Sequence, residues 1–171
     1  MGQINWFDRK FDFSSDQNIM PSIIERLEGT PIRVREKLKQ IDATLYKIKP
    51  DNKWSILEHI GHLIDLEPLW QGRLQDILDG QVELRPTDLS NRLTTEANHN
   101  GRSPAEFLNS LISIRKITVN KLINLKEEDV FKFALHPRLK TPMRAIDLFN
   151  FVAEHDDHHL TKMTEIASHY Q

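Results

Sequence analysis

SILEHIGHLIDLEPLWQGRLQDILDG, residues 55–80, reads as one amphipathic helix with both ends marked. Ser55 and Glu58 form an S-x-x-E capping box, with Ser55 as N-cap and Glu58 at N3. Ile56, Ile60, Leu63, Trp70, Leu74 and Ile77 keep one stripe at helical period, and the pattern stops near Gly80. Such a stripe has to be buried against other elements, so the rest of the chain should supply its partners.

Those partners are helical too. Ile24, Leu27, Val34, Leu38, Ile41 and Leu45 form a stripe that stays in phase across Gly29-Thr30-Pro31, which predicts one bent helix from about Pro21 to Tyr46. Ser103-Pro104-Ala105-Glu106 is a second capping box, with proline at N1, and opens a helix through Leu108, Leu111, Ile114 and Leu122 to about Leu125. Thr141-Pro142 predicts the start of a fourth, through Phe149, Val152, Leu160, Met163 and Ala167. Four amphipathic helices without a convincing strand predict an all-α four-helix bundle. The first connection, around Lys47 to Trp54, is short and suits antiparallel neighbours. Gly80 to Arg102 and Lys126 to Thr141 are long connections that permit crossovers or loops folded over one end of the bundle.

The 171 residues suit a single domain spanning 1–171, with residues 1–20 as an N-terminal arm packing on the bundle. A net charge of −2 with interspersed signs gives no electrostatic footprint for nucleic acid. There is no membrane span, no apolar signal segment, and Trp6 breaks the myristoylation pattern after Met-Gly. Cysteine is absent, which excludes disulfides, thiolate ligands and a cysteine nucleophile. A cytoplasmic location is the default expectation.

The histidines carry the chemistry. His155 and His159 in EHDDHH (154–159) are i,i+4 neighbours on one edge of their helix, a spacing that lets two imidazoles converge on one ion. His158 points away from the core, and Glu154 and Asp157 look solvated. Asp156 projects near the middle of the apolar stripe, where a carboxylate needs a partner or a metal-bound histidine to orient; Arg144 and Arg138 are candidate partners. A third ligand must come from EHIGHLID (58–65). His62 lies on the matching edge and is preferred over His59, which sits at N4 where it can pack on Trp54 at N′ as a hydrophobic staple. Spacing alone leaves two readings open, a three-histidine metal site or the solvated face of a helix. No H-E-x-x-H is present, so a zincin-type base is not indicated.

KWSILEHIGHLIDLEPLWQGRL (53–74) resembles the second helix of the DinB/YfiT-like family, where a tryptophan and a small hydroxyl residue precede a histidine followed by Leu-x-Asp. HPRLKTPMRAIDLFNFVAEHDDHHLTKM (136–163) resembles the family's fourth helix and the loop before it, and RPTDLSNR and FDRKFDF resemble one subgroup. The resemblance implies a four-helix bundle holding a divalent metal, zinc or nickel among others, on one histidine of the second helix and two spaced by four on the fourth. These fall on His62, His155 and His159. Relatives implied by the resemblance include bacillithiol S-transferase and mycothiol-dependent maleylpyruvate isomerase.

Three neutral histidines leave a coordination position open, as in catalytic rather than structural sites. The expected function is a metal-dependent enzyme, a thiol S-transferase or hydrolase acting on a small molecule, with metal-bound water or a thiolate as its reactive group. His136 and Arg138, in the loop before the fourth helix, are weaker candidates for binding an anionic group, and His99 is weaker still. His169 suits the end of the last helix. The alternative is a non-catalytic, metal-stabilised bundle that acts through a homodimer or a protein partner. Trp6, Phe7, Phe11 and Phe13 are placed to pack on the same chain or on a neighbour.

Overall fold

The structure is a computed structural model, and it describes residues 3–13 and 15–170. Its helices are α1 (Met20–Gln40), α2 (Ile56–Leu78), α3 (Arg92–Glu96), α4 (Pro104–Ile123), α5 (Glu127–Val130) and α6 (Ala145–Tyr170), and the four long ones build the bundle. Both predicted capping boxes form. Glu58 Oε2 accepts the Ser55 amide at 2.8 Å while Ser55 Oγ accepts the Glu58 amide at 3.2 Å. Ser103 and Glu106 repeat the arrangement at 2.7 and 3.3 Å. Each box satisfies amides that the first helical turn leaves without partners.

α1 ends at Gln40 rather than at Tyr46, so residues 41–55 form the first connection. Both α1 and α2 pack chiefly on α4 and α6, which puts the first two long helices across a diagonal instead of side by side. The longer connection makes that crossing possible. It is pinned by the buried Leu45 and by the Leu57 amide, which donates to Tyr46 O at 3.2 Å.

A two-stranded antiparallel sheet corrects the expectation of no strand. β1 (Phe133–Leu135) pairs with β2 (Pro142–Arg144), with Ala134 opposite Met143. Consequently α6 does not start at Thr141-Pro142 but at Ala145. The cap lies further on, where Asp147 Oδ2 accepts the Arg144 amide at 3.0 Å. Leu84, from the connection after α2, donates its amide to Leu135 O at 2.9 Å, and this ties the two long connections together at one end of the bundle.

The interior divides into two apolar regions. One contains Met20, Leu27, Trp70, Leu74, Phe149 and Val152, and the other Val34, Leu38, Ile60, Leu63, Phe107 and Met163. Between them the four long helices bring together buried polar residues: Thr30 from α1, Glu67 from α2, Arg115 and Thr118 from α4, and Asp156 from α6. Arg115 forks onto Asp156 at 2.7 and 3.2 Å and places its Nε 2.6 Å from Glu67 Oε1, while the Thr30 hydroxyl donates to Asp156 at 2.7 Å. The inward Asp156 therefore finds its partner on α4, and Arg144 is held instead by Asp147. Burial pushes the Glu67 carboxyl up, against the pull of the Arg115 charge and a hydrogen bond from the Thr118 hydroxyl.

Candidate metal centre

α2 and α6 run against each other, and their histidines meet beside this polar layer, with His155 immediately before Asp156. His62 comes from α2, and His155 and His159 from successive turns of α6. Ligand nitrogens of all three lie within 4.8 Å of one another. His155 Nε2 and His159 Nε2 are 3.1 Å apart. Two nitrogens bound to one ion at 2.0–2.1 Å and at angles of roughly 90–110° lie about 2.9–3.4 Å apart, so this separation suits a shared ion.

Burial holds every ring neutral. It pushes His155 down to about 3 and His62 to about 2, with neighbouring imidazoles adding to the effect, and it drives His159 well below its ordinary value. Neutral imidazoles with bare lone pairs are the form in which histidine binds a metal. His155 Nδ1 is buried with no hydrogen-bond partner among the described residues. The donor set thus fits a divalent ion.

The tautomer of His62 follows from its surroundings. The Thr94 hydroxyl donates to Asp65 Oδ2 at 2.8 Å, so toward His62 Nδ1, 3.0 Å away, its oxygen can only accept. His62 therefore carries its proton on Nδ1 and presents a bare Nε2. His99 Nε2 lies 2.8 Å from the same Asp65 oxygen, and a Cβ on Gly61 would come within 2.4 Å of the His99 ring. Thr94 and His99 were beyond the reach of helical periodicity, because both lie in the long connection that folds back over α2. Asp65 was visible only as part of Leu-x-Asp.

His59 does pack edge-on against Trp54, with ring centroids 5.7 Å apart, as a staple would. It also places Nδ1 2.8 Å from His159 Nδ1. Burial pushes His59 down to about 3 as well, so it borders the cluster as a neutral ring.

His158 corrects the expectation of an outward side chain, because it is buried. It points off the helical stripe, but the N-terminal segment covers it: the Trp6 ring lies 5.3 Å from it, and Gln3 Nε2 donates to its carbonyl at 3.2 Å. Glu154 and Asp157 are not simply solvated either. Arg9 and Arg26 hold Glu154 at 3.2 and 2.7 Å, and Arg26 also reaches Asp157 at 2.6 Å. Trp6 and Phe11 pack on Phe151 of the same chain, while Phe7 is exposed. His169 packs edge-on against Tyr170 near the end of α6.

A cleft of about 740 Å³ opens over His59, His62, His155, His158 and His159. Trp54, Trp70, Phe151 and Met143 give it an apolar wall, and His136, Arg138 and Arg73 line it as well, with Arg73 beside Trp70. His136 Nδ1 accepts the amides of Arg138 and Leu139 at 3.3 and 3.2 Å, so His136 both shapes its turn and faces the cleft. Arg73 was missed in the sequence. Its signal was a charge one turn after Trp70, beside the apolar stripe.

The DinB superfamily matches residues 26–163 of the chain. Among solved structures, YfiT from Bacillus subtilis, described as "a probable metal-dependent hydrolase with an unusual four-helix bundle topology", superposes with a TM-score of 0.82. The match covers 95% of this chain and 93% of that one at 18% sequence identity, which establishes a shared fold. No curated protein matches the chain.

Proposed function

The chain belongs to the DinB superfamily, and on that footing we propose that it is a metal-dependent enzyme acting on a small molecule, with His62, His155 and His159 as the metal ligands. The observation that carries this reading is three buried, neutral histidines from two helices, with ligand nitrogens within 4.8 Å, at the floor of a cleft of about 740 Å³. A divalent ion with an open position acts as a Lewis acid and lowers the pKa of a bound water or thiol.

The chain's own residues do the rest. Thr94 and Asp65 hold His62 in the tautomer that leaves Nε2 bare. Trp54 and Trp6 close over the imidazoles and keep bulk water from their edges, with Trp54 4.6 Å from the His62 ring and Trp6 5.0 Å from the His155 ring. The polar layer fixes the α6 backbone next to His155 through Asp156.

The chemistry is hydrolysis, as YfiT's description suggests, or transfer of a low-molecular-weight thiol. In this reading the ion is zinc or nickel, and the protein works in the cytoplasm as a homodimer. The open cleft supports catalysis over a purely structural ion, which would sit in a closed four-ligand site. Turnover by zinc- or nickel-loaded protein of a panel of small esters and amides, and of low-molecular-weight thiols with a generic electrophile, tests it. Activity with one class, lost on chelation, supports the enzyme; absence of turnover across both classes with either metal overturns it.

A further inference from the structure

The cleft carries a charge pattern that metal binding does not use. Of its cationic side chains, Lys53 is exposed to solvent, Arg9 is held by Glu154 at 3.2 Å and Lys162 by Glu165 at 2.7 Å. Asp88, the carboxylate on the wall, is occupied by the amides of Ser90 and Arg92 at 2.9 and 3.1 Å.

Arg73 differs from these. It is 3% exposed, and its Nη2 has no hydrogen-bond partner among the described residues. Its Nε donates to Arg85 O at 3.1 Å, which fixes the guanidinium, and its Cζ lies 5.6 Å from the Trp70 ring. The neighbouring Asp76 is taken by Arg85, which contacts both of its oxygens at 2.9 and 2.7 Å. Buried charges are normally paired, because an isolated one loses its hydration without compensation. Burial lowers Arg73 to about 10, which still leaves it cationic at neutral pH.

Two further donors face the same space. With Nδ1 accepting two backbone amides, neutral His136 carries its proton on Nε2. Burial first, and then the Arg73 charge, push the His136 pKa down, which keeps it neutral beside the guanidinium. Arg138, exposed on the same turn, lines the cleft as well. Between this corner and the histidines lies the Trp70 ring, 6.1 Å from the His155 ring and 6.0 Å from Phe151.

We propose that Arg73, with His136 and Arg138, forms an anion subsite that holds a carboxylate of the substrate, while the substrate's apolar body lies along Trp70, Phe151 and Met143 toward the histidines. The planar fork of a guanidinium matches a carboxylate in two parallel hydrogen bonds. This subsite rests on the cleft being the substrate site of the metal-dependent reaction, and it names the substrate class: small, apolar-bodied carboxylates.

The test is titration of tryptophan fluorescence with phenylacetate and hexanoate and with their uncharged amides, on metal-free and on zinc-loaded protein. In metal-free protein the carboxylates should bind about tenfold more tightly than the amides. Arg73→Met should abolish that preference and Arg73→Lys should keep part of it. Equal or undetectable binding of acid and amide by the wild type overturns the subsite, and this comparison needs no folded variant. So does an unchanged preference in Arg73→Met. Zinc content measured in parallel separates the two readings: a carboxylate preference without zinc binding keeps the subsite and removes the metal assignment, and the reverse removes the subsite alone.

Discussion

The Thr94 hydroxyl sits 3.0 Å from His62 Nδ1 and donates its own hydrogen bond to Asp65 at 2.8 Å. A residue in the connection after α2 thereby decides which nitrogen of a helical histidine is free. Thr94→Val removes the hydrogen bond at nearly constant volume, and partners of this kind are worth about 10–100-fold in metal affinity. Zinc competition against a chromophoric chelator should show a loss of that size, with little change in the melting temperature of metal-free protein. Unaltered zinc affinity would mean that His62 is not a ligand.

The polar layer predicts a stability effect separate from the site. Glu67, Arg115 and Asp156 are 0%, 2% and 1% exposed, with one guanidinium between two carboxylates. Arg115→Leu leaves both acids buried without their cation, and removing one partner of a buried pair costs about 3–5 kcal/mol. Urea denaturation should register it. A loss below about 1 kcal/mol would show that the carboxylates are readily protonated or hydrated.

Acid should weaken the metal-free protein earlier than carboxylate titration explains. In the unfolded chain histidine titrates near 6.5, whereas burial holds His62 at about 2 and His59 and His155 at about 3 in the fold. Below about pH 6.5 the unfolded state binds more protons, so the stability these neutral rings contribute is complete above that pH and declines as pH falls toward about 3. The slope is about 1.4 kcal/mol per pH unit for each histidine. Denaturation midpoints at pH 7.5, 6.5 and 5.5 should fall across the last two values; a flat profile contradicts the assignment of neutral, buried rings.

Gly61 and Gly72 lie on the same helix but should respond differently. Alanine normally favours a helix interior by about 1 kcal/mol over glycine. At Gly61 the new Cβ would lie 2.4 Å from the His99 ring, which is buried and bonded to Asp65, so Gly61→Ala should cost about 1–3 kcal/mol. At Gly72 it meets the end of the flexible, half-exposed Arg85 side chain, which can move aside. Thermal melts of the two variants should therefore differ in sign or size. Equal melting temperatures would remove the packing role assigned to His99.

The sequence shows most plainly what local chemistry controls. Both capping boxes and the apolar stripes of α2 and α6 are repeated in the structure, because helical period places side chains on faces without reference to other elements. By contrast, Ile41 and Leu45 lie beyond the end of α1, and α4 buries Phe107 and Val119 while leaving Leu108 and Ile114 half-buried. The same period placed Asp156 inward correctly. It could not name Arg115, which lies 41 residues away on α4. His158 was misplaced for a related reason: its cover, Trp6, comes from the other end of the chain. Thr141-Pro142 resembles a helix start, but pairing with residues 133–135 outweighs that local preference. Thr94 and Arg73 stayed hidden because their roles arise only when the connections fold over α2.

The central claim is that His62, His155 and His159 hold one divalent ion, and metal analysis of protein purified without an affinity tag tests it most directly. The account predicts stoichiometric metal in the wild type and in His158→Ala, loss in His62→Ala, His155→Ala and His159→Ala, and weakened but measurable binding in His59→Ala. Loss with His59→Ala and full retention with His62→Ala would contradict it.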